Sequence, residues 1–458
     1  MRAVDRVRGA TRRAVGAGRC VGCVQGNGAS VCAEQRPRAR TGRPRVRLID
    51  QELVGHGCDD ADVPELPGHG PVRPTSPAPP RAEAIVDLDA IRHNVRLLSG
   101  AAAASGAGMM AVVKADAYGH GAVPVARAAL GAGASWLGVC TLEEALELRA
   151  AGITAPVLSW LHLPDEDFAP AVAAGVDLSV SSVRHLAGVL DGARRARLPA
   201  RLHLKADTGL SRGGVTPAEW PELLDDVAKA VADGRAEVVA VWSHLALADQ
   251  PRHPVVDRQL ERLTAAWEEA RAHGFTPIRH LANSAATMTR PDLHLDLVRP
   301  GIAVYGLDPL DRPVAESPLC PAMTFRARVA LVKRVPAGEG VSYGHEWTTP
   351  RETTLAVVPA GYADGVPRRL NANGRMRVWL AGRSRPVVGR VCMDQIVVDC
   401  GDDVVREGEP AVLFGAGDHD GPTAQEWATE LGTIHYEIAT GVHGARVTRT
   451  LANQDAGR

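Results

Sequence analysis

A lysine at the end of an apolar, strand-like run is the first feature of this sequence that could do chemistry. The run MMAVVKADAYGHGA spans residues 109–122 and places Lys114 directly after five apolar residues. Among 52 Lys+Arg residues only four are lysine, namely Lys114, Lys205, Lys229 and Lys333. Because arginine supplies nearly all the positive charge, a retained lysine indicates a task that a guanidinium cannot perform, such as forming a Schiff base or carrying a titratable amine.

Further polar residues follow neighbouring apolar runs. They are Lys205 through Arg212 (KADTGLSR), His244, the pair Asn283 and Ser284, and Arg299. The carboxyl ends of the strands of a parallel barrel meet at one rim, where such folds place their active sites. The pattern therefore predicts one shared site, although polar residues mark the ends of many strands.

The few tyrosines give a second indication. Of the five, Tyr118, Tyr343, Tyr362 and Tyr436 lie in glycine-rich or polar turn contexts, whereas Tyr305 lies in an apolar run and is predicted to be core. The four turn tyrosines are candidates for a site; the alternative is that they are surface or half-buried packing residues.

The elements that must position these residues begin near residue 84 and alternate short apolar runs with helical stretches. The strand candidates are residues 109–115, 135–141, 156–160, 176–182, 201–207, 238–244, 278–283 and 297–306. Eight β-then-α units predict a TIM (β/α)8 barrel. An open doubly wound sheet is the alternative, but the units lack a Gly-x-Gly-x-x-Gly fingerprint, which favours closure.

The rest of the chain divides by composition. Residues 1–82 are rich in Arg, Pro and Gly and predict a disordered extension. Residues 83–315 hold the barrel, and Val-rich runs between Gly/Pro turns predict a mostly β domain over 316–451. Residues 452–458 form a tail.

Bulk composition excludes several classes of protein. With 45% hydrophobic and 23% charged residues, the 458-residue chain is typical of a soluble globular protein. Twelve arginines but only three acids lie in residues 1–50, so the remainder is mildly acidic, which argues against nucleic acid as a partner. No apolar run is long enough to span a membrane, and a cytoplasmic location is expected.

The cysteines do not predict a metal site. Cys20 and Cys23 have zinc-like spacing, but their distance to Cys32 and Cys58 fits no familiar zinc module. The other four, Cys140, Cys320, Cys392 and Cys400, are scattered and predict free thiols.

Seven motifs in a fixed order resemble alanine racemase, a pyridoxal 5′-phosphate enzyme. They are VVKADAYGHG, LKADTGLSRGG, NSAA, VRPGIAVYG, VSYG, GYADG and GRVCMDQ. The resemblance covers about residues 83–451. It implies a TIM barrel plus a β domain, a homodimer, and interconversion of L- and D-alanine, which supplies D-alanine for peptidoglycan.

The resemblance also implies how the cofactor is held. Lys114 would hold it as an internal aldimine, for which a neutral amine is needed. The phosphate would be bound by Tyr118, Ser284, Tyr436 and the backbone N–H groups near Gly301 and Ile302. Arg299 would face the pyridine nitrogen, where most such enzymes place a carboxylate. A permanent donor there leaves the ring nitrogen unprotonated and the carbanion short-lived, which limits transamination.

Two bases are implied, one on each face of the substrate. Lys114 would serve one face and Tyr343, from the partner subunit, the other. A free tyrosine has a pKa near 10, and lowering it by three units corresponds to about 4 kcal/mol, for which His244 between Arg299 and Tyr343 is the implied source.

The remaining implied roles concern the substrate. Arg212 would bind its carboxylate and the cofactor's phenolic oxygen, assisted by the backbone N–H of Met393 from the partner. Supporting residues would be Lys205 (carbamylated in some members), Asn283, Tyr362 and Asp394, with Tyr362 and Asp394 shaping the entrance.

Three alternatives stay open. A racemase for serine or another small amino acid would share these motifs. A related decarboxylase is disfavoured because Arg299 replaces the usual carboxylate. A non-catalytic pyridoxal-phosphate carrier uses a similar barrel alone, and the β domain with Tyr343 and Met393 argues against it.

Overall fold

The computed structural model describes residues 79–418 and 421–454. The predicted disordered extension up to residue 78 and the Cys20–Cys23 pair lie outside these residues. The strands are β1 (Ala82–Asp87), β2 (Gly108–Val112), β3 (Trp136–Val139), β4 (Val157–Ser159), β5 (Asp177–Val180), β6 (Ala200–Lys205), β7 (Ala236–Trp242), β8 (Ile278–His280), β9 (Leu297–Val298), β10 (Met323–Arg328), β11 (Leu331–Val335), β12 (Gly340–Val341), β13 (Trp347–Thr348), β14 (Thr353–Val358), β15 (Arg377–Leu380), β16 (Arg383–Val388), β17 (Ile396–Gly401), β18 (Pro410–Phe414) and β19 (Val447–Ala452).

The helices alternate with the strands over the first part of the chain. They are α1 (Leu88–Ala104), α2 (Lys114–Tyr118), α3 (Ala122–Gly131), α4 (Leu142–Ala150), α5 (Ala169–Ala173), α6 (Val183–Ala196), α7 (Trp220–Ala232), α8 (Pro254–Ala272), α9 (Ser284–Thr289), α10 (Ala424–Leu431) and α11 (His435–Gly441). Short 3-10 turns cover Pro291–Leu293, Ile302–Tyr305, Val314–Glu316, Tyr343–His345, Tyr362–Asp364 and Arg368–Asn371.

Eight parallel strands form a nearly closed barrel in the order β8-β7-β6-β5-β4-β3-β2-β9. Its two ends meet through backbone hydrogen bonds from Asp296 N–H to the Arg279 carbonyl, 3.2 Å, and from Arg299 N–H to the Ala282 carbonyl, 2.8 Å. Each strand lies within, or at the edge of, a predicted apolar run. The predicted barrel is thus confirmed over the open sheet.

The helix α1 shows how the sequence starts and orients these elements. Asp87 caps its first turn, where Oδ1 accepts hydrogen bonds from the backbone N–H groups of Asp89 and Ala90. Ile91, Val95 and Leu98, spaced three and four residues apart, are all buried. The amphipathic pattern of α1 is therefore borne out.

A second, nine-stranded sheet has the order β11-β14-β17-β16-β15-β18-β10-β1-β19. Here β1 pairs antiparallel with β10 and parallel with β19, so that Ala82 lies opposite Ala327 on one side and Val447 on the other. Residues 83–87 fall within the segment predicted to form the barrel. They belong instead to this sheet, because β1 pairs through backbone hydrogen bonds with β10 on one side and with β19 on the other.

Two hydrophobic clusters give the barrel and the β domain separate cores. Tyr305 is fully buried in the barrel core, as predicted, and its hydroxyl donates to the Val112 carbonyl over 2.8 Å. Its ring packs against that of Tyr118 with centroids 4.8 Å apart. The Tyr305 side chain thereby supports the strand end from which Lys114 follows.

Two further expectations from the sequence concern membrane-spanning helices and the cysteine thiols. No helix in residues 79–418 and 421–454 is both long enough and apolar enough to cross a membrane. Cys140, Cys320, Cys392 and Cys400 are free, as predicted.

Candidate active site

A cavity of about 640 Å³ lies at the carboxyl ends of the barrel strands. It is lined by most of the predicted site residues: Lys114, Tyr118, Lys205, Arg212, His244, Asn283, Ser284, Arg299, Gly301, Ile302 and Tyr436. Lys114 follows β2, Lys205 ends β6, and His244 and Arg299 come shortly after β7 and β9. The parallel barrel thus brings residues that are far apart in sequence to one rim.

The charge of the cavity is one-sided. Four cationic side chains line it, those of Lys114, Lys205, Arg212 and Arg299, and among the described residues no carboxylate does. Focused positive potential in a partly closed cleft attracts anions. The cavity therefore suits a ligand with several negative charges.

Lys114 begins a short helical turn whose following residues have left-handed backbone. The backbone φ angles of Ala115, Asp116, Ala117 and Tyr118 lie between 51° and 54°, in the left-handed region. Left-handed backbone costs about 1–2 kcal/mol per L-residue, so the surrounding structure must hold this turn in place. Strain of this kind is concentrated at functional sites, and here it immediately follows the candidate lysine.

Two carboxylates hold the turn. Glu144 Oε1 accepts a 2.6 Å hydrogen bond from the backbone N–H of Ala115, while its Oε2 caps the start of α4. Asp116 forms a 2.5 Å ion pair with Arg449 on β19 and accepts from the backbone N–H of Ala122 over 2.7 Å. The turn is therefore tied both to the next barrel unit and to the β domain.

Hydroxyl groups line another part of the cavity. Ser284 Oγ accepts hydrogen bonds from the backbone N–H groups of Gly301, 2.8 Å, and Ala303, 3.3 Å. Both oxygen lone pairs are then engaged, which leaves the Ser284 O–H to donate. A Cβ on Gly301 would lie 2.4 Å from Tyr118 Oη, so only glycine lets the backbone approach this phenol.

The two tyrosines near Ser284 are neutral donors. Burial is the main cause that raises the pKa of Tyr118 far above its usual value, and burial also raises the pKa of Tyr436 to about 12. Their ring centroids are 6.1 Å apart. Three O–H groups, those of Tyr118, Ser284 and Tyr436, are thus available to a bound anion.

Arg299 is a buried cation with a largely fixed orientation. Its Nη2 donates to the carbonyls of Ser243, 2.7 Å, and Leu281, 3.2 Å, and its Nη1 contacts His280 Nδ1 at 3.0 Å. Burial lowers the pKa of Arg299, but a guanidinium stays protonated at neutral pH. Its planar group therefore presents permanent donors at the cavity wall.

His244 is held in one tautomer by Arg299. Arg299 Nη2, which also donates to two carbonyls, lies 3.3 Å from His244 Nδ1, and because an arginine can only donate, this contact favours Nδ1 as the acceptor. Burial, and then the charge of Arg299, lower the pKa of His244 well below its usual value. The ring is neutral, with its proton on Nε2.

The protonated form of Lys205 is destabilised by its surroundings. Burial first, and then Arg299 and Arg212, lower its pKa to about 8. Its Nζ lies 4.6 Å from the centre of the Trp242 ring, which also lies 4.8 Å from the Arg299 guanidinium carbon. The Trp242 ring is thus within cation–π distance of both cations.

Arg212 stands on a tight loop between β6 and α7. Asp207 Oδ1 accepts from the backbone N–H groups of Gly209 and Ser211, and a Cβ on Gly214 would lie 2.7 Å from the Asp207 backbone nitrogen. The loop is closed by the hydrogen bond from Val215 N–H to the Lys205 carbonyl, 2.8 Å. This folding returns the exposed Arg212 to the rim next to Lys205.

Four predicted residues do not line the cavity. Tyr343, Tyr362, Met393 and Asp394 lie together on the β domain, where the backbone N–H of Tyr362 donates to the Cys392 carbonyl and that of Ala363 to the Met393 carbonyl, both 3.0 Å. The exposed fractions of Tyr343, Met393 and Tyr362 are 72%, 52% and 42%. Three large apolar groups on one exposed surface are characteristic of an interaction site.

Tyr343 is presented by a strained loop. Ser342, Gly344 and His345 on either side of it have φ angles of 63°, 77° and 45°. The Ser342 hydroxyl donates to the Arg390 carbonyl over 3.0 Å, and the Arg390 side chain forms an ion pair with Glu346. The Tyr343 ring is thus exposed on a loop whose backbone is held by contacts on both sides.

Sequence reasoning missed several residues that line the cavity. They are Val112, Cys140, Trp160, Leu161, His162, Ser181, His185, Gly213 and Trp242. Cys140, Trp160 and Ser181 lie at the carboxyl ends of the predicted runs 135–141, 156–160 and 176–182, which was the available signal. Trp242 had a different signal: its indole carries a polar N–H, and it lies in an apolar run two residues before His244.

Two family models match the chain over adjoining segments. The alanine racemase N-terminal domain matches residues 86–309 and the alanine racemase C-terminal domain matches residues 322–451. The first match falls within the described residues, and so does the second except for residues 419 and 420.

Individual proteins match over the same part of the chain. The alanine racemase of Salinispora arenicola is 58% identical over 372 residues, which are 81% of this chain and 98% of that protein. The crystal structure of alanine racemase from D-cycloserine-producing Streptomyces lavendulae is 49% identical, with a TM-score of 0.78 over 82% of this chain and 98% of that one. Alanine racemase from Streptomyces coelicolor A3(2) is 50% identical, with the same TM-score and coverage.

Proposed function

Because this chain belongs to the alanine racemase family, we propose that it interconverts L- and D-alanine with bound pyridoxal 5′-phosphate and two bases, Lys114 and Tyr343. The observation that carries the proposal is the single cavity in which Lys114 meets three donor hydroxyls, Arg212 and Arg299. The proposed role is supply of D-alanine for peptidoglycan, in the cytoplasm.

The residues of the cavity fit this cofactor. A phosphate dianion suits the O–H groups of Tyr118, Ser284 and Tyr436, and Gly301 and Ile302, the other predicted phosphate-binding residues, line the same cavity. Lys114 would hold the cofactor covalently through Nζ, and Asn283, which caps α9 beside Ser284, supports the phosphate end. When bound, pyridoxal phosphate supplies an electron sink for the electron pair left at Cα after deprotonation.

Lys114 would move a proton at Cα on one face of the substrate. Its Nζ lies 5.9 Å from the centre of the Tyr118 ring, and among the described residues it has no ion-pair partner. The left-handed turn behind it fixes the strand end from which it projects.

Tyr343 of the partner subunit would serve the other face. The support is architectural, since Tyr343 is 72% exposed on its own chain and lies outside the cavity of that chain. A homodimer that brings the Tyr343 surface of one subunit to the cavity of the other would complete each site. The backbone N–H of Met393, with Tyr362 and Asp394 at the entrance, would arrive with it.

His244 would connect Arg299 to this tyrosine. Its Nδ1 accepts from Arg299, so the proton is on Nε2 and is free to be donated. A hydrogen bond from Nε2–H to the phenolic oxygen of Tyr343 stabilises the deprotonated oxygen, which is the form that can accept the Cα proton. Gln259 keeps the histidine backbone in place by donating to the His244 carbonyl, 3.0 Å.

Arg299 would limit side reactions at the cofactor nitrogen. An arginine cannot accept a hydrogen bond and does not give up its proton, so a ring nitrogen opposite it stays unprotonated. Arg299 would thus supply a permanent donor where a carboxylate would favour protonation of the ring nitrogen and, with it, transamination.

Arg212 would bind the substrate carboxylate in a bidentate manner. Lys205 beside it has a pKa of about 8, so a fraction of its amine is neutral at physiological pH. A neutral amine is the form that reacts with CO₂, and this supports the carbamylated state of Lys205 that the family resemblance suggests. The resulting anion would orient the Arg212 guanidinium.

The test is a visible spectrum of the purified protein followed by conversion assays. We expect visible absorption from the bound cofactor and conversion of L-alanine to D-alanine. L-Serine, assayed in parallel, distinguishes a racemase of other small amino acids, and CO₂ release distinguishes a decarboxylase. A coloured protein that leaves every amino acid unchanged would be a carrier and would overturn the proposal.

A further inference from the structure

A chain of buried hydrogen bonds leads from Arg299 through the barrel interior to its opposite end. Arg299 Nη1 contacts His280 Nδ1 at 3.0 Å, and His280 Nε2 contacts His203 Nδ1 at 2.9 Å. His203 Nε2 contacts Asp177 Oδ2 at 3.3 Å, and Asp177 Oδ1 accepts from Arg201 Nε over 2.6 Å. Arg299 follows the carboxyl end of β9, whereas Asp177 is the first residue of β5.

Strand periodicity explains why polar groups occur in the barrel interior. Arg201, His203 and Lys205 alternate along β6, so they share one face, and Lys205 on that face lines the cavity. The inward face of β6 is therefore polar. His203 and His280 are both completely buried, and Asp177 is 1% exposed.

The direction of every hydrogen bond in this series is fixed by the residues at its two ends, Arg299 and Asp177. Arginine only donates, so His280 Nδ1 must accept and the proton of His280 is on Nε2. His280 Nε2–H then donates to His203 Nδ1, which places the proton of His203 on Nε2 as well. That proton is donated to Asp177, and an ionised carboxylate only accepts.

Aromatic rings hold both imidazoles in the plane that this chain requires. The ring of Trp242 stacks on His280 with centroids 5.4 Å apart and 18° between planes. Trp136 packs its edge against His203 at 5.4 Å. Each imidazole thus packs against an indole ring.

We propose that Asp177 is a positioning residue for Arg299 and acts by setting the tautomers of His203 and His280. The inference rests on the proposed role of Arg299 opposite the cofactor nitrogen. With both imidazoles protonated on Nε2, His280 offers Arg299 an acceptor. With the opposite tautomers, an N–H of His280 would face an N–H of Arg299, and buried donors without acceptors are costly.

Replacing Asp177 by Asn is expected to reverse the direction of the hydrogen bonds between Asp177 and Arg299. Arg201 can only donate, so the amide oxygen is drawn to the Oδ1 position beside Arg201 Nε. The amide NH₂ then occupies the Oδ2 position and faces His203 Nε2, which must become an acceptor. In Ser-His-Asp triads the same replacement leaves the imidazole in the wrong tautomer.

The first measurement needs no variant. Long-range ¹H–¹⁵N spectra of the cofactor-loaded full chain, labelled with ¹⁵N-histidine, report the protonated nitrogen of each imidazole. His203→Gln and His280→Gln each remove one signal and so assign the two residues. We expect both to be protonated on Nε2 alone; protonation of His280 on Nδ1 would overturn the proposal, whether or not the protein racemises alanine.

The second measurement compares Asp177→Asn with Glu237→Gln. Glu237 is the other carboxylate on Arg201, at 3.0 Å, and does not contact the histidines, so it is a matched control. We expect Asp177→Asn to move the imidazole protons to Nδ1, alter the visible spectrum and lower kcat by about 10–100-fold, as for other groups that orient a site from behind. The control should keep wild-type values. Unchanged tautomers and an unchanged spectrum in folded Asp177→Asn would contradict the proposal.

Discussion

The Arg449 guanidinium lies 2.5 Å from the Asp116 carboxylate and joins the last strand of the β domain to the left-handed turn that follows Lys114. Arg449 also donates from Nε to the Gly119 carbonyl over 3.2 Å. One side chain of the β domain thus contacts the strained segment at Asp116 and the residue that follows it, Gly119. The position of the candidate catalytic lysine therefore depends on the second domain as well as on the barrel.

Arg449→Met should loosen the turn and weaken cofactor binding. The ion pair is partly exposed, so its loss is worth at most about 1 kcal/mol, or roughly a fivefold rise in the Kd of pyridoxal phosphate. Titration of the cofactor-free protein measures this. Arg351→Met is the control, because Arg351 forms an exposed ion pair with Asp402 on the β domain. Equal effects in both variants would contradict a specific role for Arg449.

Lys114 should carry the cofactor. Borohydride reduction followed by peptide mapping is expected to find the adduct on Lys114, and Lys114→Ala should lower racemisation by at least the 10²–10⁴-fold typical of a positioned acid–base group. An adduct on Lys205 or Lys333 would show that a different lysine holds the cofactor.

Arg299→Glu should change the balance of products. A carboxylate opposite the ring nitrogen keeps it protonated and lengthens the life of the carbanion, so racemisation should fall on the order of 10²-fold while the transamination share rises. Pyruvate formation per racemisation event measures that share. Arg299→Lys keeps a cationic donor and should not raise it. Unchanged racemisation in Arg299→Glu with no side product rules this interpretation out.

Lys114→Ala and Tyr343→Ala should complement each other. Each variant alone should be nearly inactive, because the two bases must flank one Cα. After subunit exchange, a heterodimer has one doubly mutated site and one intact site, so activity should reappear as a fraction of the wild-type value. If both residues belonged to one chain, the mixture would stay inactive despite proven exchange.

Lys205 should make stability depend on pH. Its folded-state pKa of about 8 is below the unfolded value of 10.5, so the unfolded chain binds more protons between these limits. Stability gained from this group therefore rises with pH through that window, and the penalty is fully present below pH 8. Lys205→Met should raise the free energy of unfolding of the cofactor-free protein at pH 7 by about 1–3 kcal/mol, less so near pH 10.

The control for Lys205 is Lys229→Met. The Lys229 side chain is 71% exposed and forms an ion pair with Asp226. It should change stability little at either pH. Measurement in CO₂-free buffer excludes carbamylation, and a pH-independent gain in Lys205→Met would contradict burial as the cause.

The barrel and its rim could be predicted because their signals are local. Each parallel strand appears as a short apolar run, and the polar residue that ends it is visible in the same few letters. Lys114, Lys205, His244 and Arg299 were found in this way.

Other features depend on contacts that no local pattern encodes. Ala115 and Ala117 do not favour left-handed backbone, and one aspartate, Asp116, does not predict a run of it. Glu144 and Arg449 hold the turn from distant positions. Buried histidines such as His203 and His280 look like core residues until their partners are known. The alternation in RLHLK was the one available sign of a polar barrel interior.

The pairing of β1 with β19 has a consequence for how the protein is made. β1 is among the first described segments to leave the ribosome, while its parallel neighbour β19 is among the last. At about 5–20 residues per second, translation of the intervening chain takes on the order of tens of seconds. During that interval the barrel can fold, whereas both edges of β1 stay unpaired until β10 and then β19 have been made. We therefore expect the β domain to mature after the barrel, and chaperones that shield nascent strands to favour its yield.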